Sequence, residues 1–390
     1  MKLIDALKTE KISAFIIAMI VMLNVLQFAL SLHGIMINTL FVAIPSLLLL
    51  AIINRFSIEH LNILMIMGIV ALVFSISLII RPTDTLYFYI REYFTYVVPI
   101  LIAFLFKKDW ETFLKSICAL AIIGLLLMSP VLIDSQGLFE DYMTLGYYGI
   151  FCSTILLVYS YIHRKLLIFL AAIFYSYLIV VNGNRGALLV ASLALLLCFL
   201  LAPTEKKVRR QRRILIIVVF AVLSILAGGL TSYLTEVIQP TSYSTNQFLN
   251  MLNSRDIYDA LGTRGDIYKD AIKEIQASPL VGMGIGGFEE KYGNGVFPHN
   301  IILDIFVTFG IPVGIGLIVT LYIFLKKMYY KMNDNKDKLV LYIFLVAICA
   351  KLLLSKVFIY DPFFWLLIAA GATALSQKSL IYHRTETENE

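Results

Sequence analysis

Residues 284–306 read GIGGFEEKYGNGVFPHNIILDIF. A glycine-rich, charged stretch ends at Pro298-His299-Asn300 and runs directly into apolar sequence. The same alternation of short polar breaks and long greasy runs recurs along the chain and sets its class. Of 390 residues, 60% are hydrophobic and 15% charged, more apolar surface than a soluble domain of this size needs. Each bilayer crossing takes roughly 20 apolar residues, and the charged breaks leave room for about twelve crossings.

The chain is therefore expected to be an all-α polytopic membrane protein. The expected spans cover 12–32, 35–53, 61–80, 86–106, 113–133, 146–162, 166–181, 186–201, 214–230, 300–325, 339–354 and 362–375. The first run is too long for a signal-peptide core and is read as a retained helix. With the N-terminus inside, Lys2, Lys8, Lys11, Arg55, Lys107, Lys108, Lys115, Arg164, Lys165, Lys378 and Arg384 all fall on the inner side. The blocks TEKKVRRQRR at 204–213 and KKMYYKMNDNKDK at 326–338 join them. Most of the 32 basic residues are then inside, which puts both termini in the cytoplasm. The 206–213 block reads as a topology anchor and not as a nucleic-acid site. Cys118, Cys152, Cys198 and Cys349 lie in apolar runs without CxxC spacing, so neither a disulfide framework nor a zinc site is expected.

The expected organisation is nine helices in 1–230, an outer loop at 231–299, three helices in 300–376 and a tail at 377–390. The loop is far longer than the other connections. Its segment GTRGDIYKDAIKEIQASP, 262–279, carries Ile267, Ala271, Ile272 and Ile275 at helical spacing. Thr263 and Asp266 suit a capping box, and Pro279 follows the end. A short amphipathic helix at the outer membrane surface is expected there. The sequence shows no repeat of 20–50 residues and no matched pair of broken helices of the transporter kind.

Four residues stand out chemically. Arg185 sits in VVNGNRGALLV between two runs of 16 residues, each about 24 Å long at helical rise against a hydrocarbon core of roughly 30 Å. The turn is either recessed, with Arg185 facing protein or a wet cavity at phosphate depth, or ordinary, with the arginine snorkelling. Arg264 opens the amphipathic helix. It suits a diphosphate, because free N–H groups and a guanidinium fork coincide there, or else it pairs with Asp266 or Asp270. His299 is a proton acceptor at a helix mouth or a helix cap, with Asn300 beside it to cap or orient. Arg91, next to Glu92 inside the fourth span, is a candidate cavity-lining residue provided the two pair, since burial alone costs an arginine about 2.5–3.5 kcal/mol.

The glycines between Gly282 and Gly287 lack the βαβ setting and the lysine of a nucleotide loop and read as a flexible bend. No Asp-x-Asp motif of metal-dependent nucleotide-sugar enzymes is present.

In combination, NGNRGALL, the outer segment GTRGDIYKDAIKEIQASPLVGMGIGGF, PHN and FGIPVGIG resemble the O-antigen ligase and Wzy-type polysaccharide polymerase family of bacterial envelope enzymes. The resemblance is tightest over 182–316. It implies a GT-C-like membrane fold of about twelve helices in the bacterial cytoplasmic membrane. It also implies inverting glycosyl transfer from an undecaprenyl-diphosphate-linked oligosaccharide at the outer face, with no metal or other cofactor. Arg185 and Arg264 then look like diphosphate binders, and His299 like the base for the acceptor hydroxyl. Membrane lipids, a flippase and a chain-length regulator are the implied partners; nucleic acid is not one.

A polymerase joining repeat units into capsule, exopolysaccharide or O-antigen is the first reading. The ligase-type glycine spacing beyond His-Asn is not met, because Gly310 is followed by Gly314. Ligase-type transfer to another acceptor is the alternative. A lipid-linked oligosaccharide flippase or transporter is the competitor from another class.

Overall fold

The computed structural model describes residues 2–133, 142–181, 185–201, 263–293 and 295–376. The described residues are helical, with turns and loops between and no strand. The helices are α1 (Lys2–Ser31), α2 (Thr39–Ile53), α3 (Leu61–Ile80), α4 (Asp84–Glu92), α5 (Val98–Ala103), α6 (Trp110–Ile133), α7 (Tyr142–His163), α8 (Leu166–Val181) and α9 (Arg185–Leu201). After the undescribed segment come α10 (Thr263–Ala277), α11 (Gly287–Tyr292), α12 (Ile301–Met332), α13 (Lys336–Cys349) and α14 (Pro362–Ser376). Among the described residues five helices are long and apolar enough to cross a membrane, and α2, α8, α9 and α14 are shorter apolar ones. The span expected at 214–230 lies outside the described residues.

α7 is the hub, packed against α6, α8, α9 and α13. Its centre is aromatic: Phe151 stacks on Phe363 of α14, with ring centroids 4.3 Å apart, and meets Phe344 of α13 edge-on at 4.9 Å. α3 is at the other extreme. Met65, Ile69, Leu72, Ile79 and Ile80 are all exposed on it, which suits a helix bathed in lipid. Exposed Phe41 of α2 and Leu167 of α8 belong to the same outer surface.

Cross-links between distant segments fall into two sets. Glu10 pairs with Lys107 at 2.9 Å, His60 bonds to Ser376 at 2.7 Å, and His163 meets Asp337 at 2.9 Å. Those residues were all expected on the inner side. At the opposite end Arg81 pairs with Glu290 at 3.2 Å, and the Asn300 amide donates to the Leu353 carbonyl at 3.3 Å. α3 and α12 therefore run in opposite directions between the two sets.

Two expected spans are interrupted. Between α4 and α5, residues Tyr93–Val97 form a π-helical turn. Pro99 follows within four residues of Thr95, and a proline inside a helix has no N–H and crowds the carbonyl four residues back, so a widened turn relieves it. The second break is in α12, where Gly310 adopts φ 75°, ψ 172°.

That break reverses the reading of the glycine stretch as a flexible bend. The Met283 N–H donates to the Val307 carbonyl at 2.7 Å, and the Gly284 N–H to the Thr308 carbonyl at 3.0 Å. The Ile311 N–H donates to the Pro279 carbonyl at 2.7 Å. The 279–284 loop thus supplies bonds that an unbroken helix would make with itself, which backbone in or near a bilayer needs. Beyond the break, residues 311–332 are about 33 Å long at helical rise, enough for a core of roughly 30 Å. Ile311, Val313, Ile315, Leu317 and Val319 are exposed along that half. In the short first half, Asp304, Ile305, Val307 and Thr308 are buried. His299 therefore stands at the mouth of a protein-packed half-helix, not where the chain first meets lipid.

Candidate active site

α10 forms where the stripe predicted it, but the stripe packs on protein. Ala271 is fully buried with Phe288 and Val307, and Ile267 and Ile275 pack around them; of the four stripe residues, Ile272 stays exposed. Glu274 on the same helix accepts from Lys291 Nζ at 2.6 Å and from Tyr292 Oη at 2.7 Å. α10, α11 and the first half of α12 are thereby one packed unit.

Arg264 lies in the first turn of α10, partly exposed. Neither Asp266 nor Asp270 neutralises it. Asp266 pairs with Lys269 at 3.2 Å, and Arg264 forms no ion pair with a described residue. Its charge bears on His299. Burial pushes the His299 imidazole down to about 4, and the Arg264 guanidinium acts in the same direction. The imidazole is thus neutral near pH 7, with a cation close enough to be felt.

His299 itself is held in a left-handed conformation, φ 52°, an uncommon one for a non-glycine residue. It follows buried Pro298, and its ring lies 4.0 Å from that of Phe297. The helix cap is Asn300, whose Oδ1 accepts from Ile302 N at 2.9 Å and Leu303 N at 3.3 Å. His299 Nδ1 is buried and has no hydrogen-bond partner among the described residues. The asparagine does the capping, and the imidazole is left over for something else.

Arg185 opens α9; its side chain lies outside the described residues. The 3-10 turn Ala350–Leu353 packs against both α9 and α12, and its Leu353 carbonyl holds Asn300. The elements carrying Arg185 and His299 thus share one neighbour. Arg91 is elsewhere: it is bonded to Glu92 at 3.0 Å and is largely exposed. Glu92, and not Arg91, lines a cavity of about 220 Å³ beside that turn.

Two polar clusters escaped the sequence reading. In the first, Tyr89 Oη donates to Glu289 Oε1 at 2.6 Å, both residues being buried. Burial lifts the Glu289 carboxyl above its usual range, and the bond from Tyr89 opposes that. Buried Asp304 lies nearby, its Oδ2 without a hydrogen-bond partner among the described residues. In the second, Lys351 Nζ meets Asp361 Oδ2 at 2.6 Å, with side chains only 2% exposed on each side. Asp361 also caps α14, accepting from Phe363 N and Phe364 N. A lysine within the apolar run AICAKLLL was the available signal, since ionisable groups inside such runs are rare and paired.

Residues 169–319 match the family model of O-antigen ligase, from α8 into the second half of α12. A search of curated proteins finds no match. The matched residues include Arg185, Arg264, His299 and the broken α12, so over this stretch the chain is similar to the O-antigen ligase family, in support of the resemblance to O-antigen ligases and Wzy-type polymerases.

Proposed function

We propose that the chain is a polymerase of undecaprenyl-diphosphate-linked oligosaccharide repeat units, acting at the outer face of the bacterial cytoplasmic membrane with both termini inside. The observation that carries this reading is the influence of Arg264, a cation without an ion pair among the described residues, on a neutral imidazole, His299, whose Nδ1 no described residue engages.

The chemistry needs both. The acceptor hydroxyl oxygen attacks the anomeric carbon of the donor while the bond from that carbon to the diphosphate oxygen breaks. The electron pair leaves with the diphosphate, the hydroxyl proton passes to His299, and the configuration inverts. Diphosphate is already a good leaving group, so stabilising its charge with fixed cations is the larger contribution. Arg264 and Arg185 fill that role, and they also hold the anomeric carbon in line. A base at the hydroxyl adds about 10²–10⁴-fold.

The low basicity of the His299 imidazole fits this order of events. A bound diphosphate offsets the repulsion from Arg264, so His299 becomes a better base once the donor is in place. Donor binding thereby arms the site.

Ligase-type transfer, which the description of the matched family names, uses the same site and differs only in the acceptor. The experiment is reconstitution in liposomes with one lipid-linked repeat unit. A saccharide ladder with release of undecaprenyl diphosphate supports the polymerase. A single transfer that requires a second acceptor supports the ligase. Movement of intact lipid-linked saccharide across the bilayer without release overturns both in favour of a flippase.

A further inference from the structure

The cavity of about 220 Å³ has no part in the chemistry above. It is lined by Tyr96, Tyr147, Tyr148 and Tyr360 together with Glu92, Lys351, Lys356 and Asp361. Flat aromatic faces alternating with charged groups make a poor lipid groove and a good seat for a pyranose ring, whose C–H face is apolar and whose edge is polar.

The charges can be sorted. Lys351 and Asp361 neutralise each other at 2.6 Å, and Glu92 is bonded to Arg91 at 3.0 Å. Lys356 is the lining charge left without an ion pair among the described residues. Its ammonium stands 5.8 Å from the centre of the Tyr147 ring. Its backbone is left-handed, φ 69°, and such strain is kept where surrounding structure imposes it, often at a ligand site. The cavity also adjoins the proposed reaction centre. Tyr360 packs on Tyr89 with ring centroids 5.0 Å apart, and Lys351 belongs to the same 3-10 turn as Leu353, which holds Asn300 next to His299.

We propose that this cavity is the seat of an acidic sugar of the acceptor saccharide, its ring lying among the tyrosines and its carboxylate meeting Lys356. The assignment to the acceptor rests on the function proposed above; the binding of an acidic saccharide does not.

The test uses the full chain in nanodiscs and lipid-free trisaccharides ending in glucuronate or in glucose, with binding followed by saturation-transfer NMR. The glucuronate probe is expected to bind at least ten-fold tighter than the glucose probe. Lys356→Gln is expected to abolish that preference while Tyr96→Ala weakens both probes. Equal affinity for the two probes in the unaltered protein, or a preference that survives Lys356→Gln, overturns the proposal. So does displacement of the glucuronate probe by equimolar inorganic diphosphate, which marks a phosphate site instead. Failure here with undecaprenyl diphosphate release intact removes the cavity proposal alone. Binding as expected in a protein that releases no undecaprenyl diphosphate removes the glycosyl-transfer reading and leaves an acidic-saccharide site.

Discussion

Gly310 passes so close to Leu280 that a Cβ on it would stand 2.5 Å from the Leu280 carbonyl carbon and oxygen. Both sides of that contact are backbone, so no side chain can swing away to make room. The same crossing constrains Gly282, where a Cβ would sit 2.6 Å from the carbonyl oxygens of Val307 and Thr308. Two glycines, one on the loop and one in the membrane helix, let the loop seal the break in α12.

Gly310→Ala is therefore expected to destabilise the protein by at least about 2 kcal/mol, from a left-handed alanine and a backbone clash together. Gly316 is the control, in the same helix with nothing within 4 Å of an added Cβ. Thermal unfolding in nanodiscs checks this. A lowered Tm for Gly310→Ala with Gly316→Ala unchanged is the expected outcome; equal Tm values would mean the loop does not sit in the break.

The coupling of Arg264 to His299 has its own readout. Arg264→Gln removes one of the two causes that depress the imidazole, so the His299 pKa should rise from about 4 towards 6.5 and stop short, because burial remains. Titration of ¹⁵N-histidine-labelled protein in nanodiscs measures it; an unmoved His299 resonance would place the guanidinium too far away to matter. The sign for stability follows. The folded pKa lies below the unfolded one, so the unfolded chain binds the extra proton between pH 6.5 and about 4. The contribution of His299 is fully present above 6.5 and is lost as the pH falls through that window.

Tyr89→Phe deletes the donor to Glu289 and leaves a buried carboxylate short of a partner. A cost of about 1–3 kcal/mol is expected at pH 7. Without the tyrosine the Glu289 carboxyl rises further above its usual range, so the cost should shrink on acidification as the group takes up its proton. Denaturation midpoints at pH 5 and pH 7.5 test this, and a pH-independent loss would contradict it.

The Lys351–Asp361 pair gives a sharper contrast. Lys351→Met strands a buried carboxylate and should cost about 3–5 kcal/mol, whereas removing both charges is often neutral. Asp361→Asn keeps an oxygen for the α14 cap, so the double variant Lys351→Met/Asp361→Asn should recover most of the stability in the same melting assay. A double variant as unstable as the single one would show that the lysine acts through packing.

What the sequence disclosed was periodic or local. The expected limits 61–80 and 166–181 coincide with α3 and α8, because composition alone marks a lipid-length run. The stripe Ile267–Ala271–Ile275 located α10, and Asn300 was legible as a cap because capping is a matter of a few neighbouring residues. What it concealed depends on partners far along the chain. Nothing near Gly310 says that Pro279, Met283 and Gly284 will complete its hydrogen bonds, and nothing near Tyr89 points to a carboxylate 200 residues away. His299 and Arg264 were each visible as candidates, but the influence of the guanidinium charge on the imidazole appears only once α10 is packed on α12.

In the proposed reaction His299 takes the acceptor proton while the donor is held by other residues. The direct measurement is release of undecaprenyl diphosphate from a lipid-linked repeat unit by protein in liposomes, with donor binding followed in parallel, for the unaltered chain and His299→Ala. Release is expected to slow by about 10²–10⁴-fold in His299→Ala with donor affinity nearly unchanged. Release at the unaltered rate in His299→Ala would contradict it and reduce the histidine to a structural residue.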